Sequence, residues 1–176
     1  SLANTYQVHC TYRTQFTPIP NVTFHHLSDI SDKDKCKLLA YKIDPKVVIY
    51  CVRSNEPPLY EADQFKAQLL FSGGSGAMFS ACEALKPKFI YISSNYVFAG
   101  NEGNYHEADI PLSFTQFGKA KVGGENFLRT RCMDHVIIRC APLMGRGPIE
   151  HPSWIDRWRE TLFLEKPLLV AAKTYH

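Results

Sequence analysis

The chain has 176 residues, of which 45% are hydrophobic and 21% are charged, and its formal net charge is +3. This length predicts one domain with a buried core, and the composition excludes a disordered or collagen-like chain. The chain has no run of about 18 apolar residues, so we expect no membrane partner. Its Lys and Arg residues are scattered rather than clustered, so we expect no nucleic-acid partner.

The predicted elements alternate between short apolar strands and longer amphipathic helices. In chain order they are strands 6–12 and 21–26, helix 32–43, strand 46–52, helix 60–85, strand 88–93, a loop at 99–111, helix 113–131, strand 135–139, helix 154–164 and strand 168–172. Ser31 and Ser113 are predicted to cap the first and third helices. This alternation predicts an α/β domain with a parallel sheet.

Polar residues follow three of the predicted strands at their carboxyl ends. The strand at 88–93 leads into Ser94, Asn95 and Tyr96, the strand at 46–52 leads into Arg53, and the first strand leads into Arg13. Ligands bind beyond the carboxyl ends of the strands in open parallel sheets. We therefore expect these side chains to form the edge of a binding site.

The six cysteines match no zinc-binding spacing and form no Cys-x-x-Cys pair; they are Cys10, Cys36, Cys51, Cys82, Cys132 and Cys140. We interpret them as small buried hydrophobic residues in a reducing compartment. The sequence therefore predicts no metal site and a cytoplasmic location.

The helix at 113–131 carries Phe117 and Lys121 on one face, since they are four residues apart. Gly118, Gly123 and Gly124 reduce helix propensity, so we expect them to serve close packing or the close approach of a ligand. Taken alone, Lys121 is interpreted as a solvated surface lysine.

Three motifs change that interpretation of Lys121. They are Ile-Ser-Ser-Asn-Tyr-Val-Phe-Ala-Gly at 92–100, Tyr-His-Glu-Ala-Asp-Ile-Pro at 105–111 and Phe-Gly-Lys-Ala-Lys-Val-Gly-Gly-Glu at 117–125. Their order and gaps resemble those of the extended short-chain dehydrogenase/reductases, and the most similar branch is that of the dTDP-4-dehydrorhamnose reductases. The resemblance implies a Rossmann-type, doubly wound parallel sheet.

The resemblance also implies roles for residues after the fourth predicted strand and on the long helix. Ser94 matches the residue that hydrogen-bonds the reacting substrate oxygen. Lys121 matches the lysine that binds the nicotinamide ribose and lowers the pKa of a catalytic tyrosine. Asn95 and Tyr96 fall on the substrate side, where a nucleotide-sugar-like molecule would bind.

For the cofactor, the resemblance implies contacts with NADP or NAD from the predicted loops. Asp29 and Ile30 match the element that lies against adenine, and Cys51, Val52 and Arg53 match the loop that passes the cofactor. Arg13 occupies a place where such folds often put a cation for the 2′-phosphate, which favours NADP. Arg139 matches an arginine whose role is more often structural.

The chain departs from the family pattern at the residue that usually donates the proton. Phe117 occupies the position of the catalytic tyrosine, and a phenyl ring has no proton to give to a developing alkoxide. Asn95 and Ala99 replace two aspartates of the pattern, and Phe71 falls near a usual asparagine.

The resemblance further implies that a first strand and a Gly-x-x-Gly-x-x-Gly turn would precede Ser1. In the printed sequence we therefore expect the first strand and the C-terminal lobe of the family to be missing. Residues 1–150 are interpreted as a partial dinucleotide-binding domain, and residues 151–176 as the start of the substrate lobe.

Two functions remain open at this stage. One is a divergent NAD(P)-dependent oxidoreductase or epimerase-like protein acting on a nucleotide sugar, with Ser94 and Lys121 as its catalytic residues. The alternative is a non-catalytic member that binds a nucleotide or a sugar and serves binding or regulation, as a subunit of another enzyme. For the protein in general, the expected partner is a second copy of the chain or a partner subunit. Phe117 favours the second function, and the retained Ser94 and Lys121 favour the first.

Overall fold

The computed structural model describes residues 2–14, 16–52, 61–132, 134–142, 145 and 152–167. The strands in this part of the chain are β1 (Val8–Tyr12), β2 (Val22–His26), β3 (Val47–Tyr50), β4 (Lys88–Ser94) and β5 (His135–Cys140). Its α-helices are α1 (Lys33–Ile43), α2 (Gln64–Ala67), α3 (Gly74–Cys82), α4 (Gln116–Arg131) and α5 (Trp154–Phe163). The predicted strand at 168–172 lies outside the described residues.

The strands form two parallel sheets. β1 pairs with β2, and β3, β4 and β5 follow one another in a second sheet. Among the described residues, β1 pairs only with β2 and β3 only with β4, so each keeps one unpaired edge. The prediction of an α/β protein with a parallel sheet is confirmed.

One face of the larger sheet forms the core. Tyr50, Phe89 and Tyr91 point from β3 and β4 into a buried cluster with Phe79 of α3 and Leu128 of α4. The opposite face is more exposed, because its four outer apolar side chains are each 41–49% exposed; they are Val47, Ile49, Val136 and Ile138. Within the described residues, the helices therefore cover this sheet from one side.

The predicted helix caps are wrong by one or two residues. Asp32, not Ser31, caps α1, since its carboxylate accepts the backbone N–H of Lys35 at 3.1 Å. Ser31 instead donates its hydroxyl to Asp29 at 2.7 Å.

The N-cap of α4 also differs from the prediction. Thr115, not Ser113, caps this helix, because the Thr115 hydroxyl accepts the N–H of Gly118 at 3.0 Å. The Ser113 hydroxyl accepts the N–H of Thr115 at 3.2 Å and so fixes the turn that precedes the helix.

The predicted helix at 60–85 is composite in its described part. A π-helical segment, Gln68–Gly73, joins α2 to α3. Wider i→i+5 turns displace backbone carbonyls from the usual hydrogen-bond pattern. Hydroxyl groups reach two of these carbonyls, because Tyr50 donates to Leu70 O at 2.9 Å and Tyr91 donates to Phe71 O at 3.2 Å. The core tyrosines thus fix the π segment.

The cysteines are less uniformly buried than predicted. Cys36, Cys82 and Cys132 are buried, but Cys51 is exposed just after β3. Cys51 belongs to the predicted cofactor loop, so its exposure leaves the thiol accessible at the end of that strand. In the described part of the chain, no helix is long and apolar enough to cross a membrane.

Candidate functional site

Ser94 ends β4 and begins a short 3-10 helix at Asn95–Val97. Its hydroxyl accepts the backbone N–H of Tyr96 at 3.2 Å and donates to the side-chain oxygen of Asn95 at 3.3 Å. Ser94 is 8% exposed and Tyr96 is 43% exposed. The turn therefore holds the serine hydroxyl at the strand end and leaves the Tyr96 side chain accessible to solvent.

Lys121 is not a solvated surface lysine, because only 4% of it is exposed. Its Nζ donates a hydrogen bond at 2.9 Å to the carbonyl oxygen of Ile92, two residues before Ser94 on β4. Three aromatic rings surround the amine, with centroids 5.0–5.8 Å from Nζ; they belong to Tyr91, Phe71 and Phe117. Aromatic faces attract a cation, so this cage compensates part of the lost hydration.

The burial of Lys121 has an electrostatic consequence. It lowers the pKa of the amine from 10.5 to about 8, although Cys51 and Glu125 act in the opposite direction. Burial raises the pKa of Cys10, and Cys51 raises it further. Tyr50 of β3 pairs with Tyr91 of β4, so Cys51 follows β3 at the level of Ile92, whose carbonyl oxygen binds the Lys121 amine.

Phe117 lies at the first turn of α4, where a carboxylate fixes the backbone. The N–H groups of Gln116 and Phe117 donate to the Glu61 carboxylate at 2.9 and 3.1 Å. A negative charge at a helix N-terminus is favourable, because the unpaired N–H groups carry partial positive charge. The Glu61 carboxylate therefore fixes the backbone from which the Phe117 ring projects.

The Phe117 ring packs edge-on against two others. Its centroid lies 5.0 Å from that of Phe71 and 6.0 Å from that of Tyr96, at interplanar angles of 88° and 77°. Such edge-to-face arrangements are favourable for aromatic pairs. Position 117 thus supplies apolar packing between Lys121 and Tyr96 and offers no proton donor.

The glycines of α4 serve close packing, one of the two uses predicted for them. A Cβ at Gly118 would clash with the carbonyl oxygen of Tyr96 and the side chain of Ser113. A Cβ at Gly124 would clash with the hydroxyl of Tyr91. The helix therefore approaches β4 and the turn after it so closely that these positions admit no side chain.

A buried carboxylate joins α4 to both neighbouring strands. Glu125 has no exposed surface and accepts the hydroxyl of Ser93 on β4 at 2.6 Å. It also accepts two guanidinium N–H groups of Arg139 on β5, the shorter at 2.7 Å. Arg139 is thus structural, as the resemblance implies, and its partner fixes the strand end that carries Ser94.

An aromatic contact between Phe98 and Tyr105 joins the two ends of the loop after β4. Tyr105 stacks on Phe98 at 4.3 Å between centroids, and the Arg139 guanidinium lies 4.8 Å from the Phe98 centroid. The Tyr105 hydroxyl accepts the N–H of Gly100 at 3.1 Å and donates to Asn101 at 3.0 Å. This tyrosine therefore fixes the loop after β4.

The predicted adenine-side residues lie in the turn before α1. The Asp29 carboxylate accepts the N–H and the hydroxyl of Ser31, and these bonds lower the pKa of Asp29. Ile30 is half-buried and packs close to Gly74 and Tyr50. Asp29 is exposed and so is accessible to a ligand, whereas Ile30 mainly contributes to the core.

The other predicted cofactor residues lie at the strand ends. Arg13 is exposed just after β1, and its carbonyl oxygen contacts the His26 ring at 3.0 Å. Cys51 is exposed and Val52 is half-buried just after β3, while Arg53 lies outside the described residues. No group of three or more His, Cys, Asp or Glu side chains in the described ranges could hold a metal ion.

Sequence reasoning overlooked the buried partners of these residues. The ring of Tyr91 beside Lys121 and the carboxylate of Glu125 beside Ser93 were not predicted to contribute. A signal existed for Glu125, since it ends the third motif and Arg139 lies on the next predicted strand. The contact of Tyr91 with Lys121 joins β4 to α4, which are distant in sequence, and has no comparable signal.

Parallel strands with helices packed against them, and a polar strand end at Ser94, define a Rossmann-like α/β protein. The family model described as RmlD substrate binding domain matches residues 8–161. The chain belongs to this family, and the resemblance to dTDP-4-dehydrorhamnose reductases is confirmed.

The chain is also similar to individual proteins and to solved structures. The chain is 30% identical over 117 residues to methionine adenosyltransferase 2 subunit beta of Rattus norvegicus, covering 66% of this chain and 35% of that protein. A hypothetical dTDP-4-dehydrorhamnose reductase from Sulfolobus tokodaii superposes with a TM-score of 0.73 and 25% identity, over 83% of this chain and 51% of that one. The dTDP-4-dehydrorhamnose reductase of Bacillus anthracis superposes with a TM-score of 0.65 and 22% identity. The superposition covers 73% of this chain and 48% of that one. The chain thus spans about a third of the curated relative's length.

Proposed function

We propose that this chain is part of an NAD(P)-dependent oxidoreductase that reduces a carbonyl group of a nucleotide sugar. The observation that carries the proposal is the meeting of Lys121 with β4, where Nζ binds Ile92 O only two residues before Ser94. A buried amine bound to the same strand that ends in a serine is suited to a cofactor ribose and a reacting oxygen.

The residues present fit a nicotinamide dinucleotide. The exposed Cys51 follows β3 at the level of Ile92, whose carbonyl oxygen binds Lys121, so the cofactor loop and the lysine would border one space. Cys51, Val52 and Arg53 would line the cofactor, Asp29 and Ile30 would lie toward adenine, and Lys121 would bind the ribose. When bound, the dinucleotide supplies the hydride. The Bacillus anthracis structure is a complex with NADP, which supports this cofactor class.

The substrate side would be formed by the turn after β4. The Ser94 hydroxyl would donate to the substrate oxygen in place of its present bond to Asn95. Asn95 and Tyr96 would contact the sugar. We propose residues 1–150 as the dinucleotide-binding part and residues 151–176 as the start of a substrate lobe, in a cytoplasmic protein.

Turnover tests this function. The complete polypeptide is incubated with NADPH or NADH and dTDP-4-dehydrorhamnose, and the loss of reduced cofactor is followed by absorbance. We expect turnover that Ser94→Ala lowers by about 100-fold. A matched control, Ser80→Ala on α3, removes a hydroxyl outside the proposed site and should leave the rate unchanged. No turnover by the parent protein with either cofactor would contradict the oxidoreductase function.

A second function is favoured by Phe117, which supplies no proton. The 30% identical rat relative is named as a subunit of methionine adenosyltransferase 2. A non-catalytic subunit that binds a nucleotide or a sugar would need the cage around Lys121 but no acid. Dinucleotide binding without turnover, together with co-elution with a methionine adenosyltransferase catalytic subunit in size-exclusion chromatography, would favour this second function. A homodimer eluting alone would argue against it.

A further inference from the structure

We propose that the hydroxyl of Tyr96 donates the proton that position 117 cannot supply. This inference rests on the proposed oxidoreductase function and names the acid of the same site. It starts from the Phe117 ring, whose centroid is 5.8 Å from the Lys121 amine and 6.0 Å from the centroid of the Tyr96 ring. Phe117 occupies the position of the family's catalytic tyrosine, and the phenol of Tyr96 packs against its ring.

The neighbouring tyrosines are less accessible than Tyr96, since Tyr50 and Tyr91 are buried and Tyr105 is half-buried. The Tyr50 and Tyr91 hydroxyls donate to carbonyl oxygens of the π segment, both side chains are buried, and burial raises the pKa of each phenol. The Tyr105 hydroxyl closes the loop after β4 through Gly100 and Asn101. A phenol that acts on a substrate must be reachable, and 43% of Tyr96 is exposed.

The backbone of Tyr96 is fixed next to the predicted substrate oxygen. Its N–H donates to the Ser94 hydroxyl at 3.2 Å, and its carbonyl oxygen packs where a Cβ of Gly118 would be. The absence of a side chain at Gly118 is therefore what allows α4 to approach this turn. The same turn carries both the serine that would bind the reacting oxygen and the phenol that would protonate it.

The chemical step balances with these groups. The substrate carbonyl carbon accepts a hydride from the reduced nicotinamide, and a C–H bond forms while the C=O π pair moves to oxygen. That oxygen takes the proton from Tyr96 Oη, so an O–H bond forms and the Tyr96 O–H bond breaks. The resulting phenolate regains a proton from water, which the exposure of the ring allows. The products are an alcohol and the oxidised dinucleotide.

The experiment compares Tyr96→Phe with the parent protein, using dTDP-4-dehydrorhamnose and NADPH as probes. We expect Tyr96→Phe to lower kcat by about 100-fold or more, the usual range for loss of a general acid, and to leave NADPH affinity within about twofold. Tyr41→Phe is the matched control, since Tyr41 is an exposed phenol on α1, and it should change neither quantity. The double variant Tyr96→Phe/Phe117→Tyr should recover turnover, because it restores a phenol one helical turn from Lys121.

Each outcome decides between the two proposals. Normal turnover by Tyr96→Phe would overturn the Tyr96 inference and leave the oxidoreductase function standing. Turnover that appears only after Phe117→Tyr would also overturn it, since it would show that the parent site has no acid. If the parent binds neither NADPH nor NADH, the proposed function itself fails, and the inference fails with it. Failure of Tyr96→Phe to bind NADPH would also overturn the inference, because the loss of rate would then reflect structure.

Discussion

Lys121 and Phe117 are one helical turn apart, and the chemistry of the pair depends on the ring at 117. A hydroxyl on that ring would lie beside the amine, where the lysine charge could lower the pKa of the phenol. With Phe117, the amine contacts three ring faces and one backbone carbonyl. Under the proposed function, the lysine would therefore bind the cofactor, and the proton would come from another residue.

The burial of Lys121 predicts a pH-dependent difference in stability between the parent and Lys121→Met. The folded-state pKa is about 8 and the ordinary value is 10.5, so between these pH values the unfolded chain binds more protons. The burial of Lys121 therefore lowers the free energy of unfolding of the parent most below about pH 8, by about 3 kcal/mol. This destabilisation disappears toward pH 10.

Urea unfolding at about pH 7 and about pH 10 measures this difference. The free energy of unfolding of the parent, relative to Lys121→Met, should rise over this interval. Other titrating groups are common to both proteins and cancel in the comparison. A difference that stays constant with pH would show that folding does not shift the pKa of Lys121.

Arg13 gives a residue-level prediction about the choice of cofactor. Its exposed side chain after β1 would pair with the 2′-phosphate of NADP, a group that NAD lacks. Arg13→Gln should weaken NADPH binding by about tenfold, equivalent to about 1.4 kcal/mol, and leave NADH binding unchanged. Calorimetric titration with both cofactors measures this, and Lys42→Gln on α1 is the matched charge control. Equal weakening for NADPH and NADH would contradict the role of Arg13.

At the scale of elements, Glu125 connects α4 to β4 and β5. Its carboxylate is fully buried and is compensated by Arg139 and Ser93. A second arginine, Arg129, contacts it at 3.5 Å from a side chain that is 43% exposed. The two arginines thus form a matched pair of contacts with one carboxylate, one shielded from water and one not.

Removing each arginine should have very different costs. Arg139→Met leaves a buried carboxylate without its main partner and should lower the free energy of unfolding by about 3–5 kcal/mol. Arg129→Met removes a solvent-screened contact and should cost less than about 1 kcal/mol. Urea unfolding of both variants makes the comparison, and the double variant Arg139→Met/Glu125→Leu should recover much of the loss. Similar costs for the two single variants would contradict this description.

The elements also show where sequence patterns succeed and where they fail. β4 is apolar and the motif after it is specific, so Ser94 could be placed correctly. Ser31 and Asp32 are both good caps, and only the contact of Ser31 with Asp29 decides between them. The π segment follows from hydrogen bonds to Tyr50 and Tyr91, which are distant in sequence, so no local pattern predicts it.

For the molecule as a whole, two buried thiols predict a loss of stability at alkaline pH. Burial raises the pKa of Cys36 and of Cys82 to about 11, against 9.0 for an ordinary thiol. The folded chain therefore keeps these protons after the unfolded chain has lost them, and stability falls as the pH rises from about 9 to about 11. Burial also raises the pKa of Tyr50 and Tyr91, which adds to the fall.

The contribution of the thiols can be separated from that of the phenols. Cys36→Ala/Cys82→Ala should flatten the fall in the free energy of unfolding between about pH 9 and about pH 11, although its stability at neutral pH will be lower. Cys51→Ala is the matched control, because Cys51 is exposed, and it should keep the parent's slope. An unchanged slope in the double variant would show that these thiols titrate normally in the folded chain.

The fold of the whole chain was more predictable than its function. Alternating strands and helices indicated a parallel α/β protein, and the family match over residues 8–161 confirms it. The chemistry depends on contacts between distant residues, such as Lys121 with Ile92 and Phe71, which spacing does not show.

The most direct test of the central claim is a binding titration of the complete polypeptide with NADPH and NADH, followed by the fluorescence of the reduced cofactor. We predict saturable binding of at least one of them below millimolar concentration, weakened by about tenfold or more in Lys121→Met. Absence of binding by both cofactors at millimolar concentration would contradict the claim that Lys121, Cys51 and the end of β4 form a dinucleotide site.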